Sequence, residues 1–189
     1  MRGELHHRQI EADLEVRSSG DGRTVYGLAV PYGLPQRVEH NLIEQFARGA
    51  FAEQVRAPHR VRFTRDHLQQ GGSLIGVLTM MRDDPSGLYI EARISRTTVG
   101  DETLELIRDG ALRHLSIGFQ ERQNRPIRTK LGPGVERVTA RLVEVSSVLQ
   151  GAYGDHAVAA GVRSAPVETP NLRRAQQISA RLRELPPAV

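Results

Sequence analysis

The sequence predicts a mostly β protein in which about seven strands, with two or three helices, form an antiparallel barrel or sandwich. Two observations support this fold class. Short segments in which apolar and polar residues alternate recur along the chain, and turn-forming Gly, Pro, Ser and Asp residues separate them. The strand and helix patterns do not alternate regularly, as they would in a parallel sheet with crossover helices.

Two strands are predicted near the start of the chain, over residues 14–16 and 24–31. The turn-forming residues 18–22 lie between them, so a hairpin is the simplest arrangement. Residues 41–55 begin with a strand pattern and continue with apolar residues four positions apart. That pattern predicts a short strand followed by a helix.

The middle of the chain predicts a strand that ends in a histidine, then a second hairpin and a helix. Residues 60–65 alternate between polar and apolar side chains and lead to His67, where the ends of neighbouring strands can converge. Residues 74–82 and 88–94 flank a strong turn signal and predict a hairpin. Residues 101–109 have acidic side chains in the first turn and apolar side chains on one face, which predicts a helix.

The strand that follows this helix carries the candidate nucleophile. Its side chains alternate between an apolar and a polar face, as in a half-buried strand. The polar face holds His114, Ser116 and Gly118, and the glycine would leave room for an incoming carbonyl group. Residues 122–136 are polar and contain Pro and Gly, so we expect a mobile surface loop there. Residues 138–149 return to strand character and carry an acidic residue among apolar ones.

The length of 189 residues is enough for one domain with a proper core, which we expect over residues 11–163. Residues 1–10 are expected to be a flexible leader whose adjacent histidines are exposed to solvent. Residues 164–189 are expected to be a linker and an Arg-rich helical tail. No apolar run reaches the roughly 18 residues that a membrane span needs, so we expect a soluble intracellular protein.

The composition excludes several classes of function. The chain contains no cysteine, which rules out disulfides, thiolate metal sites and a cysteine nucleophile. The formal net charge is +4, and the positive charge is almost all arginine, spread along the chain among 22 acidic residues. Nucleic-acid binding would instead predict a dense basic stripe with interleaved aromatics, whereas aromatic residues make up only 4% of the chain.

The candidate catalytic groups have ordinary structural explanations as well as chemical ones. A serine on the polar face of a strand, such as Ser116, most often has no chemical role. His67 could take a proton from a serine, or it could simply cap its strand. Glu144 could bond the far nitrogen of an imidazole, or it could lie on the polar face of a barrel strand. His114 projects parallel to Ser116, which is poor geometry for proton transfer, so we interpret it as a residue that lines the site.

Taken in order, these segments resemble the HK97-type prohead serine proteases of tailed phages. The resemblance rests on the strand that ends in a histidine at 61–67, the Gly-Leu-Tyr-Ile segment at 87–90, the Leu-Ser-Ile-Gly-Phe stretch at 115–119 and the Leu-Val-Glu-Val-Ser-Ser-Val stretch at 142–148. The earlier segment 44–51, which ends in Arg-Gly-Ala-Phe, is also similar, and the resemblance extends over about residues 12–162.

The resemblance implies a herpesvirus-protease-like antiparallel β-barrel surrounded by a few α-helices. It implies that Ser116 is the nucleophile and His67 the base, with Glu144 as the third member of the site. Backbone amides, with help from Arg141, are the candidate donors to the oxyanion. No cofactor and no metal ion are predicted.

The implied function is that of a serine endopeptidase of phage capsid maturation, which acts inside assembling proheads in the host cytoplasm. The expected substrates are the scaffolding protein or the scaffold-like N-terminal region of the major capsid protein, with self-cleavage near residues 122–136 and 164–170. Neither nucleic acid nor a membrane is an expected partner, and homo-oligomerisation is left open. The alternative is a non-enzymatic scaffold or assembly protein that only binds other capsid proteins.

Overall fold

A computed structural model describes residues 5–10, 14–16 and 21–149, which form one ten-stranded sheet, one α-helix and three short 3₁₀ turns. The strands are β1 (Leu5–Ile10), β2 (Glu15–Val16), β3 (Thr24–Pro31), β4 (Gln36–Glu39), β5 (Leu42–Phe46), β6 (Arg62–Arg65), β7 (Ser73–Asp84), β8 (Gly87–Ile94), β9 (His114–Thr129) and β10 (Gly132–Val148). The helix is α1 (Thr98–Arg108), and the 3₁₀ turns are Ala52–Gln54, Pro58–Arg60 and Leu68–Gln70.

The sheet is mixed, and β10 lies near its centre. Eight strands follow the order β1-β9-β10-β6-β7-β8-β3-β2, and β5 pairs with both β10 and β4. Most neighbours are antiparallel, but β10 runs parallel to β5 at residues 135–137 and parallel to β6 at residues 144–147. The predicted mostly β fold with few helices is confirmed. The two parallel pairs arise because long excursions of the chain separate β5 and β6 from β10.

The two ends of this eight-strand path lie close together, because β1 and β2 are consecutive in the chain. Ile10 ends β1, and Leu14 comes only four residues later. Because four residues of fully extended chain reach at most about 14 Å, Ile10 and Leu14 cannot lie farther apart than that. In a flat sheet, seven inter-strand spacings of about 4.8 Å would separate the edge strands by about 34 Å. The sheet is therefore curled into a half-barrel.

The interior of the half-barrel is the hydrophobic core. The largest side chains that are fully buried are Phe46, Phe51, Phe63, Phe119, Ile75, Leu78, Leu88, Ile90, Ile94, Leu104 and Leu115. Helix α1 adds Leu104 and Ile107 to this core, and the side chain of Thr97 caps the helix by accepting the backbone N–H of Gly100 at 3.1 Å. Because of this cap, α1 begins before the predicted residue 101. Among the residues described, no helix is both long and apolar enough to cross a membrane.

The loop expected over residues 122–136 is wrong, because these residues belong to a long hairpin of β9 and β10. The two strands pair from His114 and Val148 at one end to Thr129 and Gly132 at the turn. The outer half of the hairpin is largely exposed. Because the faces of this projecting hairpin are largely exposed rather than buried against the core, its sequence does not alternate between apolar and polar residues. The sequence pattern is therefore the same as that of a polar loop.

The flexible leader expected over residues 1–10 is wrong for residues 5–10, since Leu5–Ile10 form the strand β1, which pairs antiparallel with β9, and residues 1–4 lie outside the described residues. Within this strand His7 is half-buried, and Arg8 is buried and bonded to Glu44. The helix expected within residues 41–55 is replaced by β5 and one 3₁₀ turn. Gly49, with a φ of 81°, interrupts any helix there. The expected tail over residues 164–189 lies outside the described residues.

A buried charge cluster attaches β1 to the rest of the sheet. Glu44 on β5 is fully buried and accepts hydrogen bonds from Arg8 Nε at 2.8 Å and Arg137 Nε at 2.7 Å. Arg137 also bonds to Glu121, and both guanidinium groups lie over the ring of Phe119, at 5.6 and 5.9 Å from its centroid. Buried charges require such partners. Glu44 therefore links β1, β5 and β10.

Replacing Glu44 with alanine is expected to lower the free energy of unfolding by about 3–5 kcal/mol, because two buried guanidinium groups lose their counter-charge. Urea denaturation of the full chain, followed by circular dichroism, measures this change. The matched control is Glu39→Ala, an exposed residue of the neighbouring β4, which should change stability by less than about 0.5 kcal/mol. Equal losses in the two variants would contradict the prediction.

Candidate active site

Ser116 lies on β9 between β1 and β10, opposite Gln9 on one side and Ser146 on the other. Its chain neighbours Leu115 and Ile117 are fully buried in the core. Because successive side chains of a strand point to opposite faces, Ser116 lies on the other face of the sheet. We call this the site face.

His67 follows β6 and reaches the site face because of a backbone turn just before it. Asp66 has a φ of 56°, in the left-handed region that non-glycine residues seldom adopt. Its N–H donates to the carbonyl of Ser147 at 3.0 Å. The loop that follows is tight, since the carbonyl of His67 accepts the backbone N–H of Gln70 at 2.8 Å and of Gly72 at 2.9 Å. These bonds hold the backbone of His67 at the end of β6.

Glu144 reaches the same face because of a β-bulge in β10. Leu142 lies opposite Phe119 but Glu144 lies opposite Gly118, so two steps of β10 match one step of β9 and Val143 is the extra residue. In a regular strand, Leu142 and Glu144 would share a face. The bulge leaves Leu142 in the core and turns Glu144 to the site face.

Ser116, His67 and Glu144 form one continuous chain of hydrogen bonds. His67 Nε2 lies 2.6 Å from Ser116 Oγ, and His67 Nδ1 lies 2.7 Å from Glu144 Oε1. All three are buried, with 0%, 1% and 2% of their surfaces exposed. A carboxylate on Nδ1 selects the tautomer whose Nε2 can accept the serine proton. The three candidates from the sequence are thus brought together in the geometry that nucleophilic serine chemistry requires.

Two hydroxyl groups that sequence reasoning missed lie beside His67. Ser146 Oγ lies 3.2 Å from His67 Nδ1, and Thr64 Oγ1 lies 2.6 Å from Ser146 Oγ. Both residues are fully buried and face each other across the parallel β6–β10 pair. Ser146 shares the period-2 face of Glu144, which is the signal that could have identified it. Ser146 Oγ offers His67 Nδ1 a second hydrogen-bond acceptor beside Glu144, and Thr64 is bonded to Ser146 in turn. The two hydroxyl groups therefore help to fix the orientation of the His67 ring.

Gly118 provides the space that the side chains of Glu144 and His7 fill. A Cβ at residue 118 would lie 2.8 Å from Glu144 Cγ and 3.2 Å from His7 Cδ2. A close-packed interior does not tolerate the first of these distances without movement. The room that we predicted for an incoming carbonyl group is therefore occupied by these two side chains.

The variant Gly118→Ala is expected to lower kcat by about 100-fold, because its methyl group displaces the Glu144 carboxylate from His67. Cleavage kinetics and the melting temperature of the purified chain are the measurements. The matched control is Gly134→Ala in the same strand pair, where a Cβ would lie 2.6 Å from the carbonyl oxygen of Ile43 and far from the site. Both variants should lose stability by overpacking, about 1–3 kcal/mol. Only Gly118→Ala should lose kcat, and equal kcat values would contradict this reasoning.

A second histidine, His7, joins the site from β1. Its ring centroid lies 3.9 Å from that of His67, with 35° between the planes, and its Nε2 lies 3.4 Å from Glu144 Oε1. Burial, followed by the nearby charge of His67, lowers the pKa of His7 below its ordinary value of 6.5. The exposed histidine expected in a leader is thus wrong for His7. Its position depends on the pairing of β1 with β9, which has no apolar signal in the sequence.

The ligand atoms of His7, His67 and Glu144 lie within 4.8 Å of one another. The arrangement nevertheless fits hydrogen bonding better than metal coordination. A metal ion lies in the plane of each imidazole that binds it, whereas these two rings face each other. The 2.7 Å separation of His67 Nδ1 and Glu144 Oε1 is also shorter than the roughly 3.3 Å between ligands of a tetrahedral zinc ion. We therefore assign no metal ion to these residues.

Two other residues singled out in the sequence lie elsewhere on the strands. Arg141 lies opposite Gln120, four residues along β9 from Ser116 and hence about 13 Å away. It lines a cavity of about 370 Å³ that does not include Ser116, and its role as an oxyanion donor stays a prediction. His114 begins β9, half-buried and on the same face as Ser116, and its role in lining the site stays a prediction.

Comparisons with known proteins agree with this fold. Residues 12–169 match the family model of the caudovirus prohead serine protease. Among solved structures, the chain is similar to the capsid assembly protease of bacteriophage T4, with a TM-score of 0.52 and 13% sequence identity over 79% of this chain and 99% of that one. No curated protein matches the sequence. Because the family match spans most of its 189 residues, the chain belongs to the caudovirus prohead serine protease family.

Proposed function

We propose that this protein is a serine endopeptidase of phage capsid maturation in which Ser116 is the nucleophile, His67 the general base and Glu144 the residue that orients the base. One observation carries the proposal. The hydrogen-bond chain from Ser116 Oγ through both nitrogens of His67 to Glu144 Oε1 is unbroken, at 2.6 and 2.7 Å. Its three members come from β9, the loop after β6, and β10, so nothing in local chain geometry requires them to meet.

In the first half of the reaction, His67 Nε2 takes the proton of the Ser116 hydroxyl while Oγ attacks the carbonyl carbon of the scissile peptide bond. The carbonyl electron pair moves to oxygen and gives a tetrahedral oxyanion. When the oxyanion collapses, the C–N bond breaks and the imidazolium of His67 gives its proton to the leaving amine. The products are an acyl ester on Ser116 and a new amino terminus.

In the second half, water takes the place of the leaving amine. His67 removes a proton from the water as its oxygen attacks the ester, and the proton then passes to Ser116 Oγ as the acid product leaves. Glu144 keeps its negative charge throughout and stabilises the imidazolium that forms twice in each cycle. Because both groups are buried, this attraction is stronger than it would be in water.

The family membership supports an assignment of natural substrates. We infer that the protein cleaves the scaffolding protein or the scaffold-like N-terminal region of the major capsid protein, inside assembling proheads in the host cytoplasm. We also infer a barrel of the herpesvirus-protease type, which the curled sheet supports. For self-cleavage, the region near residues 164–170 is the better candidate, because residues 122–136 are largely paired in the β9–β10 hairpin.

Co-expression of the full chain with its scaffolding and major capsid proteins tests the proposal. We expect the wild-type chain to shorten one of these proteins, as measured by intact-protein mass spectrometry, and Ser116→Ala to leave both at full length. The matched control is Ser86→Ala, which changes an exposed serine in the turn between β7 and β8 and should process as the wild type does.

The non-enzymatic alternative predicts a different result. A scaffold or assembly protein would leave both partners at full length with the wild-type chain, and Ser116→Ala would assemble particles as efficiently. Processing that continues in Ser116→Ala would overturn the assignment of the nucleophile while leaving the protease class intact.

A further inference from the structure

One oxygen of Glu144 faces two imidazole rings rather than one. His67 Nδ1 lies 2.7 Å from Glu144 Oε1, and His7 Nε2 lies 3.4 Å from the same atom. His7 Nε2 is buried and makes no full hydrogen bond among the residues described. A carboxylate shift of a few tenths of an ångström would complete that bond, and hydrogen bonds of unliganded sites commonly tighten in the reacting complex.

The fold holds His7 in this position from both faces of β1. His7 lies opposite Gly118, whose missing Cβ admits the imidazole ring. On the other face of β1, Arg8 is bonded to the buried Glu44 at 2.8 Å. Because adjacent side chains of a strand point in opposite directions, anchoring Arg8 to Glu44 turns His7 toward the site.

We propose that His7 is a positioning residue for the Ser116–His67–Glu144 triad. In its neutral form it donates Nε2–H to Glu144 Oε1 and stacks on the ring of His67, so that the carboxylate and the base keep their alignment while His67 gains and loses its proton. This inference rests on the function proposed above.

The charges around His7 favour its neutral form during the reaction. The titratable and charged groups that face His7 are His67, Glu144 and Arg8. Burial and the charge of His67 hold the pKa of His7 below its ordinary value, so at neutral pH the ring is uncharged. A protonated His7 would repel the imidazolium of His67 and compete with it for the carboxylate.

The same arrangement makes the site sensitive to acid. The side chain of His7 keeps 18% of its surface exposed, whereas that of His67 keeps 2%. His7 is therefore the imidazole of the pair that is in contact with solvent. At a pH low enough for His7 to gain a proton, the ring is no longer a neutral donor and repels the imidazolium of His67, so the acid limb of kcat should be steeper than in a variant whose residue 7 cannot titrate.

Two substitutions separate the hydrogen bond from the ring stack. His7→Phe keeps an aromatic ring beside His67 but removes the donor to Glu144, and we expect kcat to fall about 10-fold with KM within about two-fold. His7→Gln keeps a neutral N–H near the position of Nε2 and cannot titrate. We expect it to retain most of the wild-type kcat at neutral pH and to make the acid limb of kcat shallower than that of the wild type.

The matched control is His6→Phe, the same change at the neighbouring position. His6 lies on the opposite face of β1, with its ring centroid 5.5 Å from that of Phe119. A purely structural effect on β1 would appear in both variants, whereas a positioning effect appears in His7→Phe alone.

A second readout does not depend on cleavage. In the Ser116→Ala background, proton NMR of the full chain should show a low-field resonance for His67 Nδ1–H, which is bonded to Glu144. We expect His7→Phe to shift and broaden this resonance and His6→Phe to leave it unchanged. If no variant cleaves any substrate, the proposed function fails while this resonance still decides the role of His7.

The proposal is overturned if His7→Phe retains the wild-type kcat, acid slope and low-field resonance. It is also overturned if His6→Phe loses as much activity as His7→Phe, because the effect would then belong to the stability of β1.

Discussion

Replacing either Ser116 or His67 with alanine is expected to lower kcat by about 10⁶-fold, and combining the two should cost no more than one alone. The reason is that Oγ and Nε2, 2.6 Å apart, act as one unit. Without the base the hydroxyl is a poor nucleophile, and without the nucleophile the imidazole has no proton to take. Single-turnover cleavage of a peptide that covers the site mapped by co-expression measures all three variants.

The control for this cycle is His114→Ala, which removes another imidazole from the same face of β9. We expect its kcat to stay within about 10-fold of the wild type, because proton transfer needs about 2.6–3.2 Å between heavy atoms and the geometry of i and i+2 residues is poor for it. Two single losses that multiply in the double variant would show that Ser116 and His67 act independently, contrary to the proposed mechanism.

The variant Glu144→Gln is expected to lower kcat by about 10⁴-fold with little change in KM. Glutamine has nearly the same shape but carries no charge, so it cannot stabilise the imidazolium of His67. Its amide can also donate to Nδ1, which would move the ring proton to Nε2 and leave no acceptor for the hydroxyl of Ser116. Steady-state kinetics on the same peptide provides the measurement.

The matched control for this change is Glu136→Gln on the same strand. Glu136 is also buried, but it bonds to Gln45 and Arg125 in the outer part of the β9–β10 hairpin. Its loss should affect stability and leave kcat unchanged. A loss of less than about 10-fold in Glu144→Gln would show that the charge of the carboxylate is not required.

The local parts of the site could be predicted from the sequence. The alternation from Leu115 to Phe119 is strong enough to identify a strand and to assign Ser116 to its polar face. The strand before His67 shows the same alternation, and its end is a position where side chains of several strands can meet. Such patterns reflect contacts between each short segment and the core, so they are visible without the rest of the chain.

Glu144 shows where such patterns stop being sufficient. Residues 142–148 belong to one continuous strand, and the two-residue period of a strand would by itself put Leu142 and Glu144 on one face. The bulge at Val143 separates them. A bulge is a mismatch between two strands, and its position depends on which residues of β9 lie opposite.

The strand β1 is the opposite case, in which the polar sequence conceals a structural element. Its residues are held by Glu44, by Gly118 and by the backbone of β9. None of these partners is near β1 in the sequence, so His7 had no local signal that connects it to the site.

The sequence by itself determined the mostly β class, the candidate groups Ser116, His67 and Glu144, and the exclusion of every cysteine-based chemistry. Only the tertiary structure decided that these three groups meet, that a bulge turns Glu144 toward them and that His7 stands beside them. The physical reason is that strand order, register and curl are set by contacts between distant segments, which stabilise the protein only after the whole sheet has formed.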